Sequence, residues 1–383
     1  MHTPSAPSPS PSLTPLELKV YRLGMSHPGD LSALASLLDA GTVQPGEVVA
    51  VIGKTEGNGG VNDFTRGFFT QSLMALLGSR LGRFPEDLVG EIPCILSGGT
   101  EGVLSPHYVV FVRHKARAES SPGPAVALGR ALSADMQTAD IAGWTHVRMV
   151  AETVRAAMRD ARIERAEDVV FVQVKSPFVT PLRAQAAIAT SGFSGSADAN
   201  RAMALARAAG AMGVALALGQ IADDPALESV LLSDFDIFCN RASVSCGLEV
   251  QANEVVVLGH SPHWHGPLRM TCAPMADALD LGAVVQALAK LGLRATPQLS
   301  PDDSARIAAV FVKCEPDRHG VVRGARHTML GDTDINAQRH IRGAVGGMVA
   351  GVLGDTRIFV SGGAEHQGPD GGGLFAVIAE LAH

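Results

Sequence analysis

Residues 48–57, VVAVIGKTEG, and residues 94–102, CILSGGTEG, decide the fold, because the pair occurs three times. The second copy is VVFVQVKSP (169–177) with SVSCGLE (243–249), and the third is AAVFVKCEP (308–316) with IFVSGGAEH (358–366). Short apolar runs rich in β-branched residues and bounded by Gly or Pro predict strands. The first strand of each pair ends in a lysine: Lys54, Lys175 and Lys313. The second ends in a serine: Ser97, Ser245 and Ser361. A strand-end Lys beside a strand-end Ser is a minimal base–nucleophile pair. Three such pairs predict a site of approximate three-fold symmetry and a small substrate to match it.

Working outward from these strands, each copy reads helix, Lys strand, long helix, Ser strand, with a further strand in at least the first two. The leading helices are read at 31–41, 147–163 and 275–293 from their i, i+3, i+4 apolar spacing. The long helices are read at 61–78, 199–219 and 336–354, each closed by a glycine (Gly78, Gly219, Gly354) acting as a C-cap. The further strands are HYVVFVRH (107–114) and NEVVVLGH (253–260). Turn-forming linkers fall at 117–125 and 259–267. The expected organisation is a Pro/Ser-rich disordered tail at 1–16 and units at 17–118, 125–260 and 266–383. Twelve residues before each closing glycine stands an arginine: Arg66, Arg207 and Arg342. In the third copy Arg339, one turn away, is the alternative to Arg342.

Composition narrows the function. The 383 residues are 46% hydrophobic and 18% charged, which suits a soluble globular protein of two or three domains. A net charge of −7 with no basic run argues against a nucleic-acid partner. No apolar run reaches the ~18 residues that span a bilayer, and the N-terminus lacks the pattern of a signal peptide. Five cysteines with no CxxC pair fit a reducing cytoplasm better than a disulfide framework.

Each copy thus supplies Lys, Arg and Ser. Arginine offers a fixed fork of donors for carbonyl oxygens or an anionic ring. Gly98 and Gly362 follow their serines and allow close backbone approach to a ligand, and Cys246 fills that place in the second copy. A free lysine is protonated at neutral pH, with a pKa near ~10.4. Clustered cations lower that value and turn a lysine into a base. Taken singly, a strand-end Lys or Ser is more often a solvated edge residue, and a helical Arg a surface charge; the coincidence of three favours function. HSPHWH, with His260, His263 and His265, reads as solvated histidines in a linker and not as a metal site. GKTEGNGG misses the spacings of both the P-loop and the dinucleotide fingerprint.

GKTEGNGGVNDFTRG, SGGTEGVLSPH, VQVKSP, VRGARHTMLGDTDIN and VSGGAEHQGPDGGG resemble the cyanuric acid hydrolase and barbiturase family of cyclic amide hydrolases, over nearly the whole chain after the tail. The resemblance implies an α/β architecture of three similar domains about a pseudo-three-fold axis, a Toblerone-like fold, with the active site at its centre and a homotetrameric assembly. It implies Ser245 as nucleophile and Lys175 as its base. Ser97 with Lys54 and Ser361 with Lys313 are then the pairs that hold and polarise the remaining carbonyls. Substrate contacts are implied for Arg66, Ser97, Gly98, Arg207, Ser245, Cys246, Arg342, Ser361 and Gly362. No catalytic cofactor is implied. A structural Mg²⁺ or Ca²⁺ is, held by main-chain oxygens around Ala364, Gln367, Gly368, Pro369 and Gly372 with the Glu315 carboxylate; composition alone reads AEHQGPDGGG as a surface turn. A complete arginine set favours the symmetric ring of cyanuric acid over barbituric acid, and a non-catalytic binder of cyclic imides is the remaining alternative.

Overall fold

In the computed structural model, residues 14–381 are described, apart from 118, 119, 122, 123, 192 and 194; most of the expected tail lies outside the described residues. The first portion runs β1 (Leu16–Gly24), α1 (Ser32–Asp39), β2 (Val48–Thr55), α2 (Thr65–Leu81), α3 (Pro85–Val89), β3 (Cys94–Gly98) and β4 (His107–Lys115). The second runs β5 (Ala125–Leu132), α4 (Trp144–Asp160), β6 (Val169–Pro177), α5 (Pro181–Ser191), α6 (Ala199–Ala217), β7 (Ala242–Gly247) and β8 (Glu254–Ser261). A two-residue strand β9 (Trp264–His265) precedes the third portion, which opens with β10 (Leu268–Met275), α7 (Leu281–Lys290), α8 (Pro301–Ala305) and β11 (Ile307–Cys314). It continues through the small hairpin β12 (Val321–Val322) and β13 (Ala325–Arg326) to α9 (Ala337–Leu353), β14 (Phe359–Gly362) and β15 (Gly373–Glu380).

The three large sheets share one strand order. They read β3-β2-β4-β1, β7-β6-β8-β5 and β14-β11-β15-β10. In each, the Lys strand pairs parallel with the Ser strand and antiparallel with the last strand, which in turn pairs antiparallel with the first. The chain is therefore an α/β protein with three similar sheets. The opening strands β1, β5 and β10 escape the sequence reading, as does β15 in the third copy.

Each sheet is buried on both faces, which explains the nearly unbroken apolar runs. Side chains alternate across a strand. On β4, Val109 and Phe111 enter a central core shared by all three sheets, while Tyr108, Val110 and Val112 pack outward with Leu34, Phe69 and Leu73 beneath α1 and α2. On β15, Leu374, Ala376 and Ile378 face the centre and Phe375, Val377 and Ala379 face Val284, Leu288 and Val345. Phe171, Phe311 and Phe359 meet in the middle, with ring centroids 5.1 and 5.9 Å apart.

That alternation aims the lysines. Ile52 on β2, Phe171 on β6 and Phe311 on β11 point to the central core. Lys54, Lys175 and Lys313 continue the same period-two faces at the strand ends, so they too point toward the common axis. All three are at most 1% exposed.

Two local readings need correction. Helix α2 does not stop at Gly78 but runs to Leu81 and is capped by left-handed Gly82, φ 65°. Gly78 is instead a packing position, where an added Cβ would lie 2.7 Å from the Arg83 carbonyl oxygen. The stretch 259–267 is not a solvated linker. Trp264 is fully buried with its Nε1 donating to Ala161 O at 2.7 Å, β9 adds to β1 in parallel, and His260, His263 and His265 are half-buried.

Candidate functional site

The Lys and Ser strands end together around one cavity of about 780 Å³. Backbone register pairs Lys54 with Ser97, Lys175 with Ser245 and Lys313 with Ser361. All three serines line the cavity, as do Arg66, Arg207, Arg342, Gly98, Cys246 and Gly362. Lys175 reaches the wall itself, while Lys54 and Lys313 sit just behind their serines.

The three pairs are not equivalent. Lys54 Nζ donates to Ser97 Oγ at 3.1 Å and to Gly98 O at 2.9 Å. Lys313 Nζ donates to Ser361 Oγ at 3.0 Å, Gly362 O at 2.9 Å and Val244 O at 2.7 Å, which matches the three N–H bonds of an ammonium. Lys175 Nζ donates instead to Leu96 O at 2.8 Å and lies 2.7 Å from Glu249 Oε1. Ser245 Oγ is buried with no hydrogen-bond partner. The lysines also stitch the molecule together, since Lys175 grips the Ser strand of the first sheet and Lys313 that of the second.

Burial and neighbouring charge bring the lysines down from their usual basicity. Lys54 is pushed well below it by burial and then by Arg342. Lys313 falls to about 7, by burial and then Arg207. Burial lowers Lys175 as well, with Glu249 opposing and Arg66 assisting.

Sequence reading missed a second ring. Each serine is followed four residues later by a glutamate: Glu101, Glu249 and Glu365. Each glutamate holds the arginine of a neighbouring sheet. Arg66 Nε lies 2.8 Å from Glu249, Arg207 makes a two-pronged pair with Glu365 at 2.7 and 2.8 Å, and Arg342 pairs with Glu101, its Nε at 2.9 Å. The contacts run first to second, second to third and third to first, a closed cycle. Burial opposes ionisation of these carboxyls, but the arginine and lysine contacts prevail and hold all three below the ordinary carboxylate value. Its signal in the sequence is the pattern Ser-x-Gly-x-Glu, present in all three copies.

Arg342 is the third-copy counterpart of Arg66 and Arg207 by this pairing. Arg339 also touches Glu101, at 3.3 Å, and lines the cavity mouth with its side chain 47% exposed. Gly98 and Gly362 turn their carbonyls to the lysines behind them. An added Cβ at Gly98 would fall 1.6 Å from Asp63 Oδ2, and at Gly362 it would lie 3.0 Å from Arg342 Nη1. In the second copy Cys246 has room, its Sγ 3.9 Å from Arg207 Nη1.

The loop expected to hold a metal lies behind the third Ser strand. Glu315 accepts from Ala364 N at 3.2 Å and is bracketed by Arg318 Nη2, 2.8 Å from each carboxylate oxygen. Among the described residues, no three His, Cys, Asp or Glu side chains come together to hold a metal.

A sequence profile of the family described as amidohydrolase ring-opening protein matches residues 19–380. The chain is 45% identical over 361 residues to the cyanuric acid amidohydrolase of Azorhizobium caulinodans, covering 94% of this chain and 98% of that protein. It is 46% identical over 371 residues to the cyanuric acid amidohydrolase of a Methylobacterium species, covering 95% and 97%. The solved structure of a cyanuric acid hydrolase described as an innovation by structural concatenation superposes with a TM-score of 0.91 at 40% identity, over 96% of this chain and all of that one. The A. caulinodans structure gives 0.87 at 44% identity, covering 96% and 100%. With its repeated sheets, its triple Lys–Ser register and this similarity along its whole folded length, the chain belongs to the ring-opening amidohydrolases.

Proposed function

We propose that this protein opens the ring of cyanuric acid, with Ser245 as nucleophile and Lys175 as its base. The observation that carries the reading is the inequality of the three pairs. Ser97 and Ser361 accept from their lysines, so each hydroxyl hydrogen is left to be donated into the cavity, toward a ring carbonyl. Ser245 has an uncommitted oxygen in the same wall. Three arginines around a flat ring with three alternating carbonyls give each carbonyl an equivalent set of donors.

The chemistry follows from that placement. Neutral Lys175 takes the Ser245 proton as Oγ attacks a ring carbonyl carbon. The tetrahedral oxyanion forms in a cavity lined by Arg66, Arg207 and Arg342, whose guanidinium N–H groups are donors for it. The adjacent C–N bond breaks, and the leaving nitrogen receives the proton from Lys175. Water, deprotonated by the same lysine, then attacks the carbamoyl ester and releases Ser245. The product is carboxybiuret, which loses carbon dioxide to give biuret. No cofactor enters this sequence.

A structural divalent cation beside Glu315 fits the local charge. Burial and then Glu365, with Asp370 adding and Arg318 opposing, raise the Glu315 carboxyl to about 8. A hard cation held by the Glu315 carboxylate and main-chain oxygens of 364–372 would relieve that crowding and order the loop. The family likeness supports a homotetramer. Free cysteines throughout the described residues suit a reducing compartment, and no helix among them is long and apolar enough to cross a membrane.

The test follows ring opening by ultraviolet absorbance with cyanuric and barbituric acid in turn. Turnover of cyanuric acid by the wild-type protein, lost in Ser245→Ala, is expected. Preference for barbituric acid reassigns the substrate, and binding of either ring without turnover makes the protein a receptor.

A further inference from the structure

We infer that Glu254 is a positioning residue for Lys175, holding the strand that grips the lysine and setting the charge beside it. This rests on the reading of Lys175 as the base. Glu254 opens β8 and is the register partner of Lys175 across the antiparallel pair, so both side chains leave the sheet on the same face. It is 6% exposed, and its Oε2 accepts from the backbone N–H of Cys94 at 2.9 Å. Two residues along that strand, Leu96 O accepts from Lys175 at 2.8 Å. Glutamate and lysine therefore clamp β3 of the neighbouring sheet at successive points, one through an N–H and the other through a C=O.

The three-fold pattern breaks at this position. The residue paired with Lys54 is His107, and the residue paired with Lys313 is Leu374. His107 turns its Nδ1 to Ser105 O, 2.9 Å away in the loop before its own strand. At the seam between the second and third sheets, a neutral amide does the gripping: Gln367 Oε1 accepts from Val244 N at 2.6 Å, while Lys313 takes Val244 O. A neutral acceptor is thus sufficient to hold a strand. The carboxyl at the Lys175 seam adds something an amide lacks, namely the capacity to carry a charge.

The groups facing Glu254 are Lys175 on β6, Glu249 after β7 and the Cys94 thiol on β3, with Arg66 of α2 beyond Glu249. Burial pushes the Cys94 thiol up, so it stays protonated. Burial raises Glu254 to about 7, with the Cys94 N–H and Lys175 opposing. An ionised Glu254 stabilises the Lys175 ammonium, and a protonated one releases it to act as base. The charge on Glu254 therefore bears on how readily Lys175 gives up its proton.

The experiment is the pH profile of kcat for cyanuric acid in Glu254→Gln and Glu254→Asp, with thermal melting to check folding and Lys175→Met measured alongside. Gln keeps the acceptor for Cys94 and removes the charge. Its ascending limb is expected to move to lower pH by roughly half a unit or more, with KM within about two-fold of wild type. Asp keeps the charge and is expected to leave the limb in place even where kcat falls. A folded Gln variant with an unmoved limb, or a limb moved equally by Asp, overturns the inference while leaving Lys175 as base. Turnover retained by Lys175→Met overturns the reading beneath it. Infrared titration gives an independent check: a buried carboxyl band that titrates near neutrality and changes frequency in Glu254→Asp supports the inference, and its absence overturns it.

Discussion

Among the three serines, Ser245 alone lacks a hydrogen bond within the described residues, and its lysine faces a glutamate. Replacing Ser245 with Ala is expected to lower kcat by about a thousand-fold or more while the ring still binds, as for loss of a covalent nucleophile. Ser97→Ala and Ser361→Ala, which on the proposed reading remove one carbonyl donor each, are expected to raise KM and retain measurable turnover; steady-state kinetics on the three variants separates these outcomes. Lys313 makes a second prediction. Its folded-state pKa of about 7 lies below the ordinary lysine value. Between those two values the unfolded chain binds more protons than the folded one, so this lysine makes stability rise with pH from about 7 toward ~10. Below 7 both states carry the ammonium and the penalty is constant. Lys313→Met should flatten the rise, as read from urea unfolding at pH 7 and pH 9. At this scale the lysines, serines and arginines were legible because each recurs beside a recognisable strand or helix. The glutamates were equally regular, but a carboxylate just past a strand reads as a loop charge until its arginine, more than a hundred residues away, is placed beside it. Glu254 was beyond reach, since its meaning lies in breaking the repeat.

The elements that build the site are strands whose ends are gripped from the next sheet. Glu365 holds Arg207 by two bonds in a place where Arg207 and Glu365 side chains are 14% and 5% exposed. Removing the charge by Glu365→Gln leaves the guanidinium buried without its counter-ion, at a cost of about 3–5 kcal/mol for breaking such a pair, measurable by urea unfolding. Gly98→Ala is expected to be worse for activity than for solubility, because its new Cβ overlaps the Asp63 carboxylate that accepts from Gly59 N and Thr65 N at the base of α2. A protein that accepts Ala there with wild-type kinetics would deny the tight packing of β3 on this loop. The Lys and Ser strands were readable because both faces are buried and their residues are β-branched. The opening strands LELKVYRLG, AVALGRAL and LRMTCAPM lie toward the sheet edges, with mixed burial and few β-branched residues, so their partners and not their own composition make them strands. Helix α2 overran its expected end because Gly78 serves packing and the left-handed turn falls at Gly82.

At the scale of the molecule, three copies of one strand order wrap a common apolar core, and their lysine-tipped faces meet where that core opens into a cavity. The sheets supply symmetry, which suits a ring with three alike carbonyls. The proposed chemistry needs asymmetry, because in it one carbonyl is attacked while two are held. Glu249 on Lys175, Cys246 beside Ser245 and Glu254 behind both concentrate the departures in the second sheet. The most direct test is a crystal structure of Ser245→Ala with cyanuric acid bound. The ring is expected to lie flat among Arg66, Arg207 and Arg342, with one carbonyl carbon over position 245 and the other two carbonyl oxygens on Ser97 and Ser361. A ring seated away from the axis, or presenting its carbonyl carbon to Ser97 or Ser361 instead, would contradict this.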